Sequence, residues 1–274
     1  RAELLYANTQ GEEIPQGYPR TVLNGNQPAT GAIPIFNFNP FLSASARETL
    51  SAASPAFAAG APLWLSRHFY YDLFPSNVRE TETDTWFGLL GLDGTFDAVE
   101  RDWYWTAHLT FGRVEGQTEA WDAHVARFNN AAFAVPGPNG PACLINIDGN
   151  PTNDDPACAP LNPFGPGNIS PAAADYVSVL TGQDWTNDQI NFLTTIGTSL
   201  FTLPAGEVET VFAYEHRDEE ADFVPYAANQ QGVTGVGIQE VPQSGSYDTN
   251  ELSVEVLVPI IGGDKLLGSI IVES

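Results

Sequence analysis

Positive charge is what this chain has least of. Lys265 is its one lysine, and Lys+Arg come to 10 against 34 Asp+Glu, a formal net charge of −24 over 274 residues. Nucleic acid is thereby set aside as a partner, since phosphate contacts draw on Lys and Arg. Methionine is absent and only two cysteines occur. No run approaches the roughly 20 apolar residues that a membrane-crossing helix needs, which excludes a helical membrane protein. A β-barrel stays open, because its strands alternate and never look strongly hydrophobic. Catalytic signatures are missing too. There is no Gly-x-Ser-x-Gly elbow and no Gly-x-x-x-x-Gly-Lys loop. His68, His108, His124 and His216 lack the spacing of a zinc helix. We therefore expect no enzyme, no catalytic residue and no metal centre. What is present is aromatic: 16 Phe, 9 Tyr and 6 Trp are too many for a solvated coil.

Residues 1–62 are rich in Gly, Pro, Asn and Ala and read as one long loop. It carries a helix over 45–53, with Ser45-Ala46-Arg47-Glu48 as a capping box. Residues 63–113 read as strands, at 63–73, 81–96 and 102–113, with a short connection at 97–100. Residues 114–186 form a second long loop with a helix over 171–180, capped by Ser170 with Pro171 at its first position. Residues 187–274 return to strands at 189–203, 207–219, 250–260 and 266–272. Short turns fall at Pro204-Ala205-Gly206 and Gly262-Gly263-Asp264, and a long loop at 220–246. Cys143 and Cys158 lie in a Pro/Asn/Asp-rich segment. Against the alternative of two free thiols, we expect a disulfide closing a surface loop, and with it an oxidising compartment. No signal peptide opens the chain and its last residues read as a strand cut in mid-course, so we expect an internal stretch of a longer polypeptide.

The strands alternate with period two. Trp103, Trp105, Ala107, Leu109 and Phe111 share one face, and Tyr104, Thr106, His108, Thr110 and Gly112 the other. Leu252, Val254, Val256, Val258 and Ile260 oppose Glu251, Ser253, Glu255 and Leu257 in the same way. A soluble sandwich strand with its apolar face inward has this pattern. So has a barrel strand with its apolar face toward lipid. The connections are alternately very short and very long, the plan of outer-membrane barrels, and Trp103, Trp105, Phe201, Phe212, Tyr214 and Tyr247 near strand ends suit an interfacial girdle.

Several segments occur in an order that resembles a known family. They are Ala159-Pro160-Leu161-Asn162-Pro163-Phe164-Gly165-Pro166-Gly167, Ala174-Asp175-Tyr176-Val177, Ser199-Leu200-Phe201-Thr202-Leu203-Pro204-Ala205-Gly206 and Glu215-His216-Arg217-Asp218-Glu219. The series resembles the barrel of TonB-dependent outer-membrane receptors of Gram-negative bacteria. Residues 88–96 with 103–112, and 247–260, resemble further hairpin strands of that barrel. The resemblance implies a 22-stranded antiparallel transmembrane β-barrel occluded by a plug, of which this all-β chain supplies about seven strands and long extracellular loops with short helices. It implies a place in the outer membrane among its lipids, and energy-coupled uptake of a scarce nutrient (a siderophore, metal chelate, glycan or peptide). It also implies an inner-membrane energy-coupling complex as partner, acting through parts of the polypeptide other than these. No plug, coupling peptide or terminal aromatic strand is found in the sequence. The alternative is a soluble or cell-surface β-sandwich binding module.

Candidate ligand-binding residues are Glu215, Arg217, Asp218, Glu219 and Asp222, where a strand would leave the membrane, with Glu220 in the same run. Clustered carboxylates suit a hard cation, so Ca²⁺ is the one cofactor considered; a solvated strand end is the alternative. Glu215 and Arg217 are two apart and share a face, as a structural ion pair. The Asp148–Asp155 stretch lacks the spacing of a calcium loop and reads as Asx turns. The acid excess favours a cationic ligand over an anionic one.

Overall fold

In a computed structural model the described residues are 1–15, 17–20, 31–235, 237–260 and 269–273. In chain order they form β1 (Ala2–Glu13), β2 (Tyr18–Arg20), β3 (Ile33–Ile35), α1 (Ala44–Ala53), α2 (Pro55–Ala58), β4 (Leu63–Leu65) and β5 (Arg67–Phe69). Next come β6 (Arg79–Ala98), β7 (Arg101–Ala123), α3 (Val125–Ala132), β8 (Ala134–Gly137), β9 (Gly140–Cys143) and α4 (Pro171–Val177). The remainder is β10 (Ser178–Leu203), β11 (Gly206–Pro225), α5 (Ala227–Gln231), β12 (Gln243–Pro259) and β13 (Ser269–Glu273).

Seven of the strands make one antiparallel sheet in the order β1-β6-β7-β10-β11-β12-β13. The sheet is open, with β1 and β13 at its edges. At one end its hairpins close tightly. Val99 and Glu100 form a two-residue turn between Ala98 and Arg101, both with positive φ (53° and 58°). That is the backbone hand a twisted hairpin wants, yet Val99 is β-branched and Glu100 has a full side chain. Replacing the pair by Asn-Gly should raise stability by about 1–2 kcal/mol, read as a higher denaturation midpoint. Pro204 and Ala205 make the second turn, and the turn expected at 262–264 lies outside the described residues.

At the other end the connections between β1 and β6, β7 and β10, and β11 and β12 are long, and the first two share a core. Tyr18, Ile33, Leu42, Phe57, Phe69 and Leu73 from the first pack with Phe128, Ala131, Leu161, Ala173, Tyr176 and Val177 from the second. The third joins by backbone hydrogen bonds, Val125 N–H to Val233 O at 2.8 Å. The chain thus buries its aromatic and aliphatic core in this cap and leaves its large sheet uncovered. Its accessible surface is 16933 Å², against roughly 11,500 Å² for a compact monomer of this mass by the usual size scaling.

The Cys143–Cys158 disulfide is present, its cysteines 15 positions apart in sequence and their Cα atoms 6.3 Å apart. Closing such a loop is worth about 3 kcal/mol on the chain-entropy model. Ser170 caps α4 by accepting from Ala173 N–H, with Pro171 in the first turn.

Several boundaries differ from the sequence reading. Residues 2–13, read as loop, are a strand paired with β6 along its whole length. Conversely, 63–73 supplies only the short strands β4 and β5 inside the cap, each paired to another short strand there. β7 runs on to Ala123 and β10 begins at Ser178, so the second long connection is shorter than the 114–186 first drawn. α1 is capped by Ser43, whose Oγ accepts from Ala46 N–H, and not by Ser45, because the helix starts two residues earlier than the capping box suggested. The Asx turns hold: Asp148 Oδ1 accepts from Asn150 N–H and Asn150 Oδ1 from Thr152 N–H.

Candidate functional site

Opposed residues of neighbouring strands share a face, so the register sorts the sheet. One face carries Leu4, Tyr6, Trp86, Leu90, Leu92, Phe96, Trp103, Trp105, Leu109 and Phe111 toward the turn end. Ile190, Phe192, Ile196, Phe212, Tyr214, Leu252, Val254, Val256 and Val258 continue it across the other strands. These side chains are open to the surroundings: Leu252 is 82 % exposed, Leu92 56 % and Leu109 44 %. Toward the cap the same face turns acidic, with Glu82, Asp84, Glu115, Asp188, Asp218, Glu220, Asp222 and Asp248 around a single Arg113. Arg113 pairs with Glu115 at 3.1 Å and Asp188 at 3.2 Å.

The opposite face is polar along most of its length. Thr106 and Thr195 are hydrogen-bonded across β7 and β10 at 2.7 Å, and Thr81 and Thr118 across β6 and β7 at 3.1 Å. Two aromatic rings lie close over cross-strand glycines: a Cβ at Gly116 would stand 2.3 Å from the Trp185 ring, and one at Gly197 2.3 Å from Tyr104.

On this polar face lies the most connected group of the sheet. Arg217 Nη2 donates to Glu215 Oε1 at 2.8 Å, and its Nη1 lies 3.8 Å from Glu219 Oε1. β10 reaches in with Asn191, which donates to Glu215, and Gln189, which donates to Glu219 at 2.8 Å. From β12 the Tyr247 hydroxyl donates to the other oxygen of Glu219. Glu251 stands opposite Glu215 in the register. Three carboxylates to one guanidinium leave the group two charges negative, a surface that favours cations. It holds no nucleophile paired with a base.

The predicted acidic run is thereby divided. Glu215, Arg217 and Glu219 come together on the polar face, as their even spacing requires. Asp218 and Asp222 stand on the opposite face with Glu220, so the five candidates do not form one site. Asn191, Gln189 and Tyr247 complete the group. They come from strands 24 to 30 residues away in sequence, and no spacing rule points to them. Among the described residues no three of His, Cys, Asp and Glu gather as a metal-holding group.

The Tyr247 hydroxyl and, after it, Gln189 hold the Glu219 carboxyl below its ordinary range despite some desolvation. Glu219 in turn raises the Tyr247 phenol. A carboxyl lowered in the folded state adds stability that is complete above its unfolded pKa and is lost as pH falls through the folded one. Acidification through and below the ordinary Glu range should therefore loosen the β11–β12 contact. Glu219→Gln should remove that dependence and bring Tyr247 back toward a normal phenol, read by NMR titration of its ring.

No family model matches the chain, and no curated protein or solved structure matches it either.

Proposed function

We propose that this chain is wall and outer cap of a β-barrel in the outer membrane of a Gram-negative bacterium, part of a receptor of the TonB-dependent kind that imports a scarce nutrient. The observation that carries the reading is the shape of the apolar band. On β6 the band runs from Phe96 to Trp86. Ten residue steps of about 3.3 Å, tilted at about 40°, give a height of roughly 25 Å, the apolar band of an outer-membrane barrel.

The tilt can be read from the band itself. Its cap-side border falls at Tyr6 and Trp86, which stand in the row of Arg113. It moves to Phe111 and Ile190, and then to Tyr214 and Leu252 in the row of Ala107. A drop of about six rows over about five strand steps, at 3.3 Å per row and 4.8 Å per strand, is an angle of about 40°. Barrel strands are inclined by 35–45°, so a flat membrane would cut the sheet along this diagonal. A two-sheet sandwich would need a cover over the same rows, and Leu252, Leu92 and Leu109 stand open.

In this arrangement the polar face, with Arg217, Glu215 and Glu219, lines a wet lumen, and the disulfide-bonded cap stands outside the cell. The unpaired edges at β1 and β13 take further strands of the barrel. The uptake step is the reading taken from the family resemblance; the band supports the membrane location.

Fractionation of the native protein tests the location. It should band with outer-membrane markers and resist extraction by alkaline carbonate. Recovery in the soluble fraction would overturn the reading. Uptake should cease when the proton gradient is collapsed; import that persists without it would contradict energy coupling.

A further inference from the structure

On the polar face of the sheet, toward the cap, β7, β10, β11 and β12 frame an open depression of about 390 Å³, within the range of small-molecule sites. Its floor is Gly112, Val114, Ala221 and Gly245, and its polar edge is Asn187, Gln189, Glu219 and Tyr247. From Gly112 on β7 to Tyr247 on β12 is three strand spacings, about 14 Å. Asn187, Gln189, Ala221, Gly245 and Tyr247 are all exposed, so the depression opens to solvent.

Gly112 is the residue that marks it. A glycine inside a strand weakens the strand, and it is kept where a bend, another group or a ligand must come close. Elsewhere in this sheet the close group is a ring. A Cβ at Gly88, Gly91, Gly94, Gly116 or Gly197 would stand 3.0 Å or less from Phe111, His108, Trp105, Trp185 or Tyr104. Gly112 lies in mid-strand between β6 and β10, opposite Phe87 and Gln189, yet a Cβ there would meet nothing within 4 Å. Gly245, at the far end of the floor, is open in the same way. Space is kept free here that packing of the sheet does not use.

The groups left open around that space are neutral. Glu219 already accepts from Tyr247 and Gln189 and lies 3.8 Å from Arg217 Nη1. Asp188 and Glu220 stand on the opposite face. Glu215 and Glu251, which carry the surplus negative charge, lie four rows further from the cap, about 13 Å away and beyond the roughly 8 Å screening length of physiological salt. The Asn187 amide has no hydrogen-bond partner. Gln189 gives its amide nitrogen to Glu219 and keeps its carbonyl oxygen as an acceptor. Beside them stands the Tyr247 ring, 54 % exposed and fixed by its hydroxyl. A purely apolar ring covering these amides would leave them unpaired, and an ion would find no free counter-charge. A hydroxylated ring meets both conditions: its hydroxyls donate to and accept from the amides, and its C–H face packs on the tyrosine.

We propose that this depression binds a neutral sugar, a short oligosaccharide lying across β7 to β12 with one ring on Tyr247 and hydroxyls on Asn187 and Gln189. The site follows from the strand register and does not require the sheet to close. In the barrel reading it lies on the outer side of the lumen.

The test is calorimetric titration of the intact protein with cellotetraose, maltotetraose and xylotetraose, and with tetragalacturonate and the tetramer of glucosamine as charged counterparts. At least one neutral tetramer should bind, and more tightly than either charged one. Gly112→Val should weaken that binding by at least about tenfold by filling the floor, with the unfolding midpoint unchanged or raised, because valine is the better strand residue. Asn187→Ala should weaken it by about five- to tenfold. If Gly112→Val does not fold, Gly245→Val and Asn187→Ala decide. Binding of none of the neutral tetramers, tighter binding of a charged one, or full affinity in any of these variants once folded would each overturn the proposal. A soluble protein that still bound the sugar would overturn the membrane location and leave this site standing.

Discussion

Phe128→Ala should cost the cap about 3–5 kcal/mol, the usual loss when a fully buried aromatic ring is truncated. Phe128 has no exposed surface. Its ring meets Tyr18 edge-on at 5.4 Å and Phe69 at 5.5 Å, joining β2, β5 and α3. The Arg20 guanidinium stacks on it as well, so truncation also strips a buried cation of its cover. The core shared by the first two connections contains none of the apolar rows of the sheet, so the loss should stay local. At 1.4 kcal/mol per factor of ten, proteolytic cleavage within 31–78 and 124–177 should accelerate by at least ~100-fold. Protection of β6, β7 and β10 should be unchanged. Loss of both together would mean that cap and sheet fold as one unit.

Arginine placed one residue apart on β7 should have opposite consequences. Leu109 sits near the middle of the apolar band and Thr110 on the polar face behind it. In lipid, Leu109→Arg should destabilise the inserted protein by about 2–4 kcal/mol, the cost of a cationic side chain facing the bilayer midplane. Thr110→Arg, on the polar face opposite Leu89 and Asn191, should change stability by less than about 1 kcal/mol. The readout is the urea unfolding midpoint in vesicles. Equal costs at the two positions would mean that both faces meet the same medium.

The parts of this fold that were legible in the sequence lie where the sheet is apolar on one side only. Residues 103–111 and 252–258 alternate cleanly because successive side chains fall on an apolar and a polar face in turn, and both are strands. The cap-side parts of β7, β10 and β12 read largely as loop, and 178–180 as the end of a helix. In 114–123, 178–188 and 243–249 the residues on both faces are largely polar, so period two carries no hydropathy signal although the ladder continues. The same holds for β1, where Leu4 and Tyr6 give way to Asn8, Gln10 and Glu12 on one face. The Cys pair and the Ser170-Pro171 helix start were legible because each is fixed by local chemistry.

The candidate site was half legible. Period two already separates Glu215, Arg217 and Glu219 from Asp218 and Asp222; reading them as one acidic cluster ignored it. Gln189, Asn191 and Tyr247 are set by strand register, which a single segment does not encode. The depression beside them was out of reach for a like reason: Gly112, Asn187, Ala221 and Gly245 come from four strands and meet only in the register of the sheet.

The membrane assignment rests on which medium each face of β7 meets. Nitroxide labels placed singly at positions 104 to 111, in protein embedded in outer-membrane vesicles, report this through collisions with oxygen, which concentrates in lipid, and with a water-soluble nickel chelate. Positions 105, 107, 109 and 111 should favour oxygen, and 104, 106, 108 and 110 should favour nickel, with a strict two-residue period. Odd positions shielded from both reagents, or reached by nickel as readily as their neighbours, would place that face against protein or water and end the barrel reading.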